Sequence, residues 1–71
     1  MDIRRKLGQR VRKYREQKGW SQEDMAEYSG LHRTYISGIE RGTRNPTVAI
    51  VAQLANALNV TLGNLLDGDD A

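Results

Sequence analysis

The chain has 71 residues, 38% of them hydrophobic, with a formal net charge of +2 and no cysteine. That suits one small domain and excludes a disulfide framework or a thiolate zinc site as its staple, leaving tight helix packing and self-association. No apolar run approaches a membrane span and no signal peptide is expected ahead of the basic start, so a cytoplasmic protein with no membrane partner is expected.

Strand formers never alternate with polar residues for long, and the pattern predicts an all-α chain of five short helices without internal repeats. The first runs from about Asp2 to Lys18, with Ile3, Leu7, Val11 and Tyr14 spaced as one apolar stripe and Gly19 as its stop. Residues 1–18 hold eight basic side chains against two acidic ones, whereas residues 19–71 hold three against seven. A basic start of this kind suits a polyanion bound on one side, and it equally suits a solvated amphipathic helix.

Ser21 is positioned as an N-cap with Asp24 three residues on, a capping-box pattern in which aspartate is shorter than the preferred glutamate. Trp20 ahead of it can act as an apolar staple. The second helix spans roughly Gln22 to Tyr28, with Met25 and Ala26 facing inward, and Ser29, Gly30 and Leu31 make the break. The third runs from about Arg33 to Arg41. At about 100° per residue, Ile36, Ile39 and Glu40 share one face, while Thr34, Ser37, Gly38 and Arg41 share the other. His32 is a poor N-cap for it, and Gly42 ends it.

Thr43, Arg44, Asn45 and Pro46 form a turn by composition. Thr47 caps a fourth helix from about Val48 to Leu58, whose buried stripe is Val51, Leu54, Ala55 and Leu58, with Asn59 as its stop. Thr61 caps a short fifth helix containing Leu62, Leu65 and Leu66. The domain is expected to cover residues 1–66, with residues 67–71 a frayed acidic tail.

The composition offers little to an enzyme. His32 is the one histidine, metal-ligand spacing is absent, and no phosphate loop is present. Ser37 and His32 lie five apart without a third group or a strained elbow. No catalytic residue, cofactor or metal is expected. The informative unit is residues 20–42, two short helices broken at a glycine, a spacing that favours a near-perpendicular crossing. The outer face of the second is small and hydrogen-bonding, and it carries a mid-helix glycine costing about 1 kcal/mol relative to alanine. Such a residue suits the close approach of a partner surface.

The stretch from Trp20 to Pro46 carries Ser21-Gln22-Glu23, Ala26, Gly30, Ile36, Ile39-Glu40-Arg41-Gly42 and Asn45-Pro46. It resembles the phage-repressor and Cro type of helix-turn-helix, also called the xenobiotic-response-element family, over about residues 7–66. Within that family the segment from Leu31 to Arg41 is most similar to the controller proteins of restriction–modification systems. The resemblance implies a five-helix lambda-repressor-like fold, a homodimer, and a partly palindromic operator in double-stranded DNA. It also implies promoter occupancy as repressor or activator, with RNA polymerase a further partner. In this family the third helix lies in the major groove.

By position, Arg33 and Thr34 match the family's main base-reading residues, with Ser37 and Gly38 at further ones. Gly38 departs from members with a long polar side chain there. Arg33 can donate two hydrogen bonds to guanine O6 and N7, and Thr34 can offer a hydroxyl to a base and a methyl to thymine. Tyr35 suits a base or sugar-phosphate contact, or a half-buried place against helix two. Gln22, at the positive end of the second helix, can hold a phosphate, and His32, Arg44 and Asn45 are further phosphate candidates. Arg4, Arg5 and Lys13 are diffuse electrostatic candidates. Glu40 shares the inward face and needs a partner; the resemblance points to Arg15, as a structural ion pair. Ile50, off the main stripe of helix four, with Val60 and Leu62, is the candidate dimer patch. A protein-interaction module, such as an antitoxin or adaptor on the same fold, is the rival reading. Single-stranded RNA binding is disfavoured because Tyr14, Trp20, Tyr28 and Tyr35 form no evident stacking platform.

Overall fold

Of the five helices, all but the third begin where a short polar side chain accepts from one of the first free N–H groups. In the computed structural model, which describes residues 2–67, the five are α1 (Ile3–Gln17), α2 (Gln22–Ser29), α3 (Arg33–Arg41), α4 (Val48–Leu58) and α5 (Leu62–Leu66). Asp2 caps α1 by accepting from the Arg4 N–H at 2.9 Å. Its bonds to the Arg4 side chain and backbone lower its pKa from the ordinary 3.8 to about 2. Ser21 and Asp24 close a reciprocal box at 3.0 and 2.9 Å, so the shorter aspartate reaches. Thr47 caps α4, and Thr61 with Asn64 forms a second box on α5. His32 makes no side-chain cap bond at the start of α3. Gly30 closes α2 at φ 78°, a left-handed turn that a side chain would resist, and so permits the sharp entry into α3.

The expected all-α, five-helix architecture is the one observed among the described residues. Three boundaries differ slightly. Asp2 and Lys18 cap α1 from outside, and α2 keeps Ser29 as its last helical residue. Of the expected tail, only Asp67 lies within the described residues; its N–H donates to the Gly63 carbonyl at 2.8 Å.

The core is built by Leu7 and Val11 of α1, Met25 of α2, Ile36 and Ile39 of α3, Val51, Leu54, Ala55 and Leu58 of α4, and Leu65 of α5. Large side chains among them each contribute about 1.5–3 kcal/mol by leaving water. Helix α5 is too short to persist alone. Arg10 of α1 holds its end, donating to the Leu66 carbonyl at 3.0 Å, where a cation meets the negative end of the helix. Gln53 of α4 holds α2 similarly, donating to the Ser29 carbonyl at 2.6 Å.

The buried face of α1 departs from the expected stripe. Ile3 is 53% exposed and Tyr14 only half-buried, while Gly8 and Arg15 are buried. The cause is the closeness of α3. A Cβ at Gly8 would overlap the Ile39 carbonyl oxygen and sit 2.6 Å from that of Glu40. The helix therefore turns its glycine, rather than its outermost apolar residues, toward α3.

Gly8→Ala should destabilise the fold by about 1–3 kcal/mol, because backbone cannot yield as a side chain can and the clash outweighs the gain in helix propensity. A thermal melt lowered by several degrees is expected, and an unchanged or raised melt would show that the helices can separate freely. The Asp2 cap should be intact above pH 3.8 and lost as pH falls through about 2, since its carboxyl pKa is depressed in the folded state. A carboxyl chemical-shift titration of Asp2 with its midpoint at 3.8 would show that the cap does not form.

Candidate nucleic-acid interface

Residues 21–42 form two helices joined across Gly30, with α3 packed on both α1 and α2 through Ile36 and Ile39. That leaves an outer surface on α3. Arg33, Thr34 and Arg41 are exposed there, and Ser37 and Tyr35 are half-buried. Ser37 is not isolated: its Oγ accepts from Arg41 Nη1 at 2.6 Å, one helical turn on. His32 is exposed at the entry to the helix.

Behind this surface lies a buried ion pair. Arg15 Nε donates to Glu40 Oε2 at 2.7 Å and Arg15 Nη2 to Glu40 Oε1 at 3.0 Å. Their side chains are 11% and 4% exposed. The hydrogen bond to Glu40 raises the Arg15 pKa further above its ordinary value. Two more bonds complete the set: Arg15 Nη1 donates to the Trp20 carbonyl at 2.7 Å, and Gln22 Nε2 donates to Glu40 Oε1 at 3.1 Å. The Gln22 amide is thus turned inward, and the group it presents at the start of α2 is its backbone N–H.

The turn after α3 folds back on the helix. Thr43 donates both its N–H and its hydroxyl to the Gly38 carbonyl, at 3.0 and 3.1 Å. Arg44 follows, and its guanidinium lies 5.3 Å from the Tyr35 ring centroid. This corrects the expectation for Gly38. The residue is buried, not on the open face, because the Arg44 side chain covers it: a Cβ there would lie 2.6 Å from Arg44 Cγ. The surface that comes close to this glycine belongs to the protein itself. Asn45 is exposed beyond Arg44.

The remaining candidates are dispersed. Arg4 is paired with Asp2 at 2.8 Å, and Arg5 packs beside Gly42. Lys13 lies over the Tyr14 ring at 5.9 Å. Ile50, Val60 and Leu62 are each half-buried against the core, while Val48, which sequence reasoning did not single out for the surface, is 67% exposed. Also unforeseen is the stack of Trp20 on Tyr28, with centroids 4.4 Å apart; the spacing of eight residues across α2 was the available signal. Among the described residues no group of three or more His, Cys, Asp or Glu is placed to hold a metal ion. No helix there is long and apolar enough to cross a membrane.

Residues 11–65 match the helix-turn-helix family. The control protein C.SmaI of Serratia marcescens is 50% identical over 66 residues, spanning 93% of this chain and 79% of that protein. The crystal structure of the restriction-modification controller protein C.AhdI of Aeromonas hydrophila has a TM-score of 0.84 at 45% identity, over 87% of this chain and 94% of that one. The master regulator for biofilm formation SinR, solved in complex with DNA, has a TM-score of 0.82 at 37% identity, over 86% of this chain and 98% of that one.

Glu40→Ala should cost about 3–5 kcal/mol, most of it the penalty of stranding the Arg15 guanidinium in the interior. Denaturant unfolding should show a much lower midpoint. A variant that unfolds like the parent but has lost its ligand would mean that Glu40 belongs to the binding surface and not to the frame.

Proposed function

This chain belongs to the helix-turn-helix family, and from that premise we propose that it is a sequence-specific regulator of transcription that binds double-stranded DNA. It reads the major groove of a partly palindromic operator with α3. The observation that carries this reading is the outer face of α3: small hydrogen-bonding groups on a helix held rigid from behind by a buried ion pair. The likeness to SinR, a relative solved with DNA, supports the same reading. Likeness to C.SmaI and C.AhdI supports the finer one, a controller of a restriction–modification system.

In this reading Arg33 takes guanine O6 and N7 in bidentate fashion, and Thr34 supplies a hydroxyl and a methyl to the neighbouring base. Ser37, tied to Arg41, offers its hydroxyl to the next step, and Tyr35 borders the sugar-phosphate. The Gln22 backbone N–H, at the positive end of α2, with His32, Arg44 and Asn45, grips phosphates and sets the register. The protein acts as a homodimer through Ile50, Val60 and Leu62. Half-sites about 34 Å apart suit two bodies that each extend 27 Å along the longest axis. It works in the cytoplasm by occupying promoter DNA, with steric block and contact to RNA polymerase as its routes to repression and activation.

Selection from a random duplex pool at two salt concentrations should enrich a palindrome. A steep salt dependence with no enriched sequence would reduce the protein to a basic surface. On the enriched site, Thr34→Ala should change the preferred base at one position, whereas Arg44→Ala should weaken all duplexes alike. If the two variants lose binding in the same way, the division into base-reading and phosphate-gripping residues is wrong.

A further inference from the structure

Gly38 sits in the middle of α3, where a glycine lowers helix stability relative to alanine. Its environment shows what the missing side chain makes room for. Outside its own helix backbone, the atoms a Cβ at this position would meet first all belong to Arg44: Cγ at 2.6 Å, Nε at 3.1 Å and Cδ at 3.4 Å. The turn that carries Arg44 is pinned at its start, since Thr43 bonds twice to the Gly38 carbonyl. The far end of Arg44 rests over the Tyr35 ring at 5.3 Å. Tyr35 and Gly38 are three residues apart and so share one face of the helix. The arginine thus leaves the turn beyond the C-terminal end of α3 and runs back along the helix. Its charge is carried about one turn toward the end that bears Arg33 and Thr34.

We infer that Gly38 and Tyr35 form a latch that pre-orients Arg44 along α3 for its grip on DNA, which makes both of them positioning residues. The inference rests on the DNA-binding reading above. An arginine free in solution loses side-chain entropy when it binds; one already laid along the helix has lost much of it on folding. Gly38 thus gives up helix propensity for the sake of binding, and the two properties should separate on substitution.

Gly38→Ala, Arg44→Ala and the double variant test this, with melting temperature and affinity for the site selected by the parent protein both measured. Gly38→Ala should melt within a few degrees of the parent, because Arg44 must turn about its first side-chain bond to clear the new Cβ and this offsets the gain in helix propensity, yet bind about ten-fold more weakly. Arg44→Ala should show a similar loss, and the double variant should lose no more than Arg44→Ala alone. A melt lowered as far as that of Gly8→Ala would make the glycine a packing residue and overturn the latch, as would undiminished binding or losses that simply multiply in the double variant. An independent measurement needs no DNA. The Arg44 side-chain protons should be shifted upfield by the Tyr35 ring in the parent and should return toward random-coil positions in Gly38→Ala and Tyr35→Leu. Parent protons without that shift would overturn the latch alone. A parent that selects no sequence would remove the DNA-binding reading, and the latch's purpose with it.

Discussion

The bidentate pairing of Arg15 with Glu40 is the contact on which the arrangement depends. It joins α1 to α3 directly, and it reaches α2 through the Gln22 amide on the same carboxylate and the Trp20 carbonyl on the same guanidinium. Three elements are thereby held in one geometry. A buried ion pair is a weak source of net stability, because desolvation consumes most of its Coulombic gain. What it does supply is intolerance of alternatives. Any rotation of α3 that separated the partners would leave a charge in the interior, at a cost of about 3–5 kcal/mol, a large share of the net stability of so small a domain. Gly8 makes the pairing possible from the other side, since only a residue without a side chain lets the two backbones approach to this distance.

Because the helix is held from behind, its front is free to carry residues chosen for contact rather than for stability. Arg33 and Thr34 stand exposed at its beginning. Ser37 is tied to Arg41, and Tyr35 lies under Arg44. The surface is thus a set of side chains arranged by one another before any partner arrives. Two glycines with opposite duties frame it. Gly8 admits backbone from the inside, where nothing can give way. Gly38 admits a long side chain from the outside, where a change of rotamer can clear it. The same amino acid is a structural necessity in one place and a means of positioning in the other.

Much of this was legible before any coordinates. The ends of α3 and α4 follow from Gly42 and Asn59, and the start of α4 from Thr47, since caps and left-handed stops are local and act over one helical turn. The inward faces of α3 and α4 follow from periodicity, as both helices have a single apolar side. The face of α1 was misread for the opposite reason. Its apolar stripe is long, but the end at Ile3 stays half exposed at the edge of a groove shared with Val48 and Leu66, and burial includes a glycine and an arginine, which a search for apolar spacing passes over. The turn inward of Gln22 and the covering of Gly38 were equally invisible, because each depends on a residue from another element.

The sequence by itself determined that this is an all-α chain, where its helices begin and end, and that residues 20–42 form a helix-turn-helix resembling a known family, because hydrogen-bond caps, glycine stops and 3.6-residue periodicity act over short distances along the chain. Tertiary structure alone decided which surface of α1 meets α3, how the buried charges are satisfied, and which side chain lies across the outer face of the third helix. Those choices are settled by steric fit and by the cost of unpaired charge between segments far apart in sequence, quantities that no local pattern encodes.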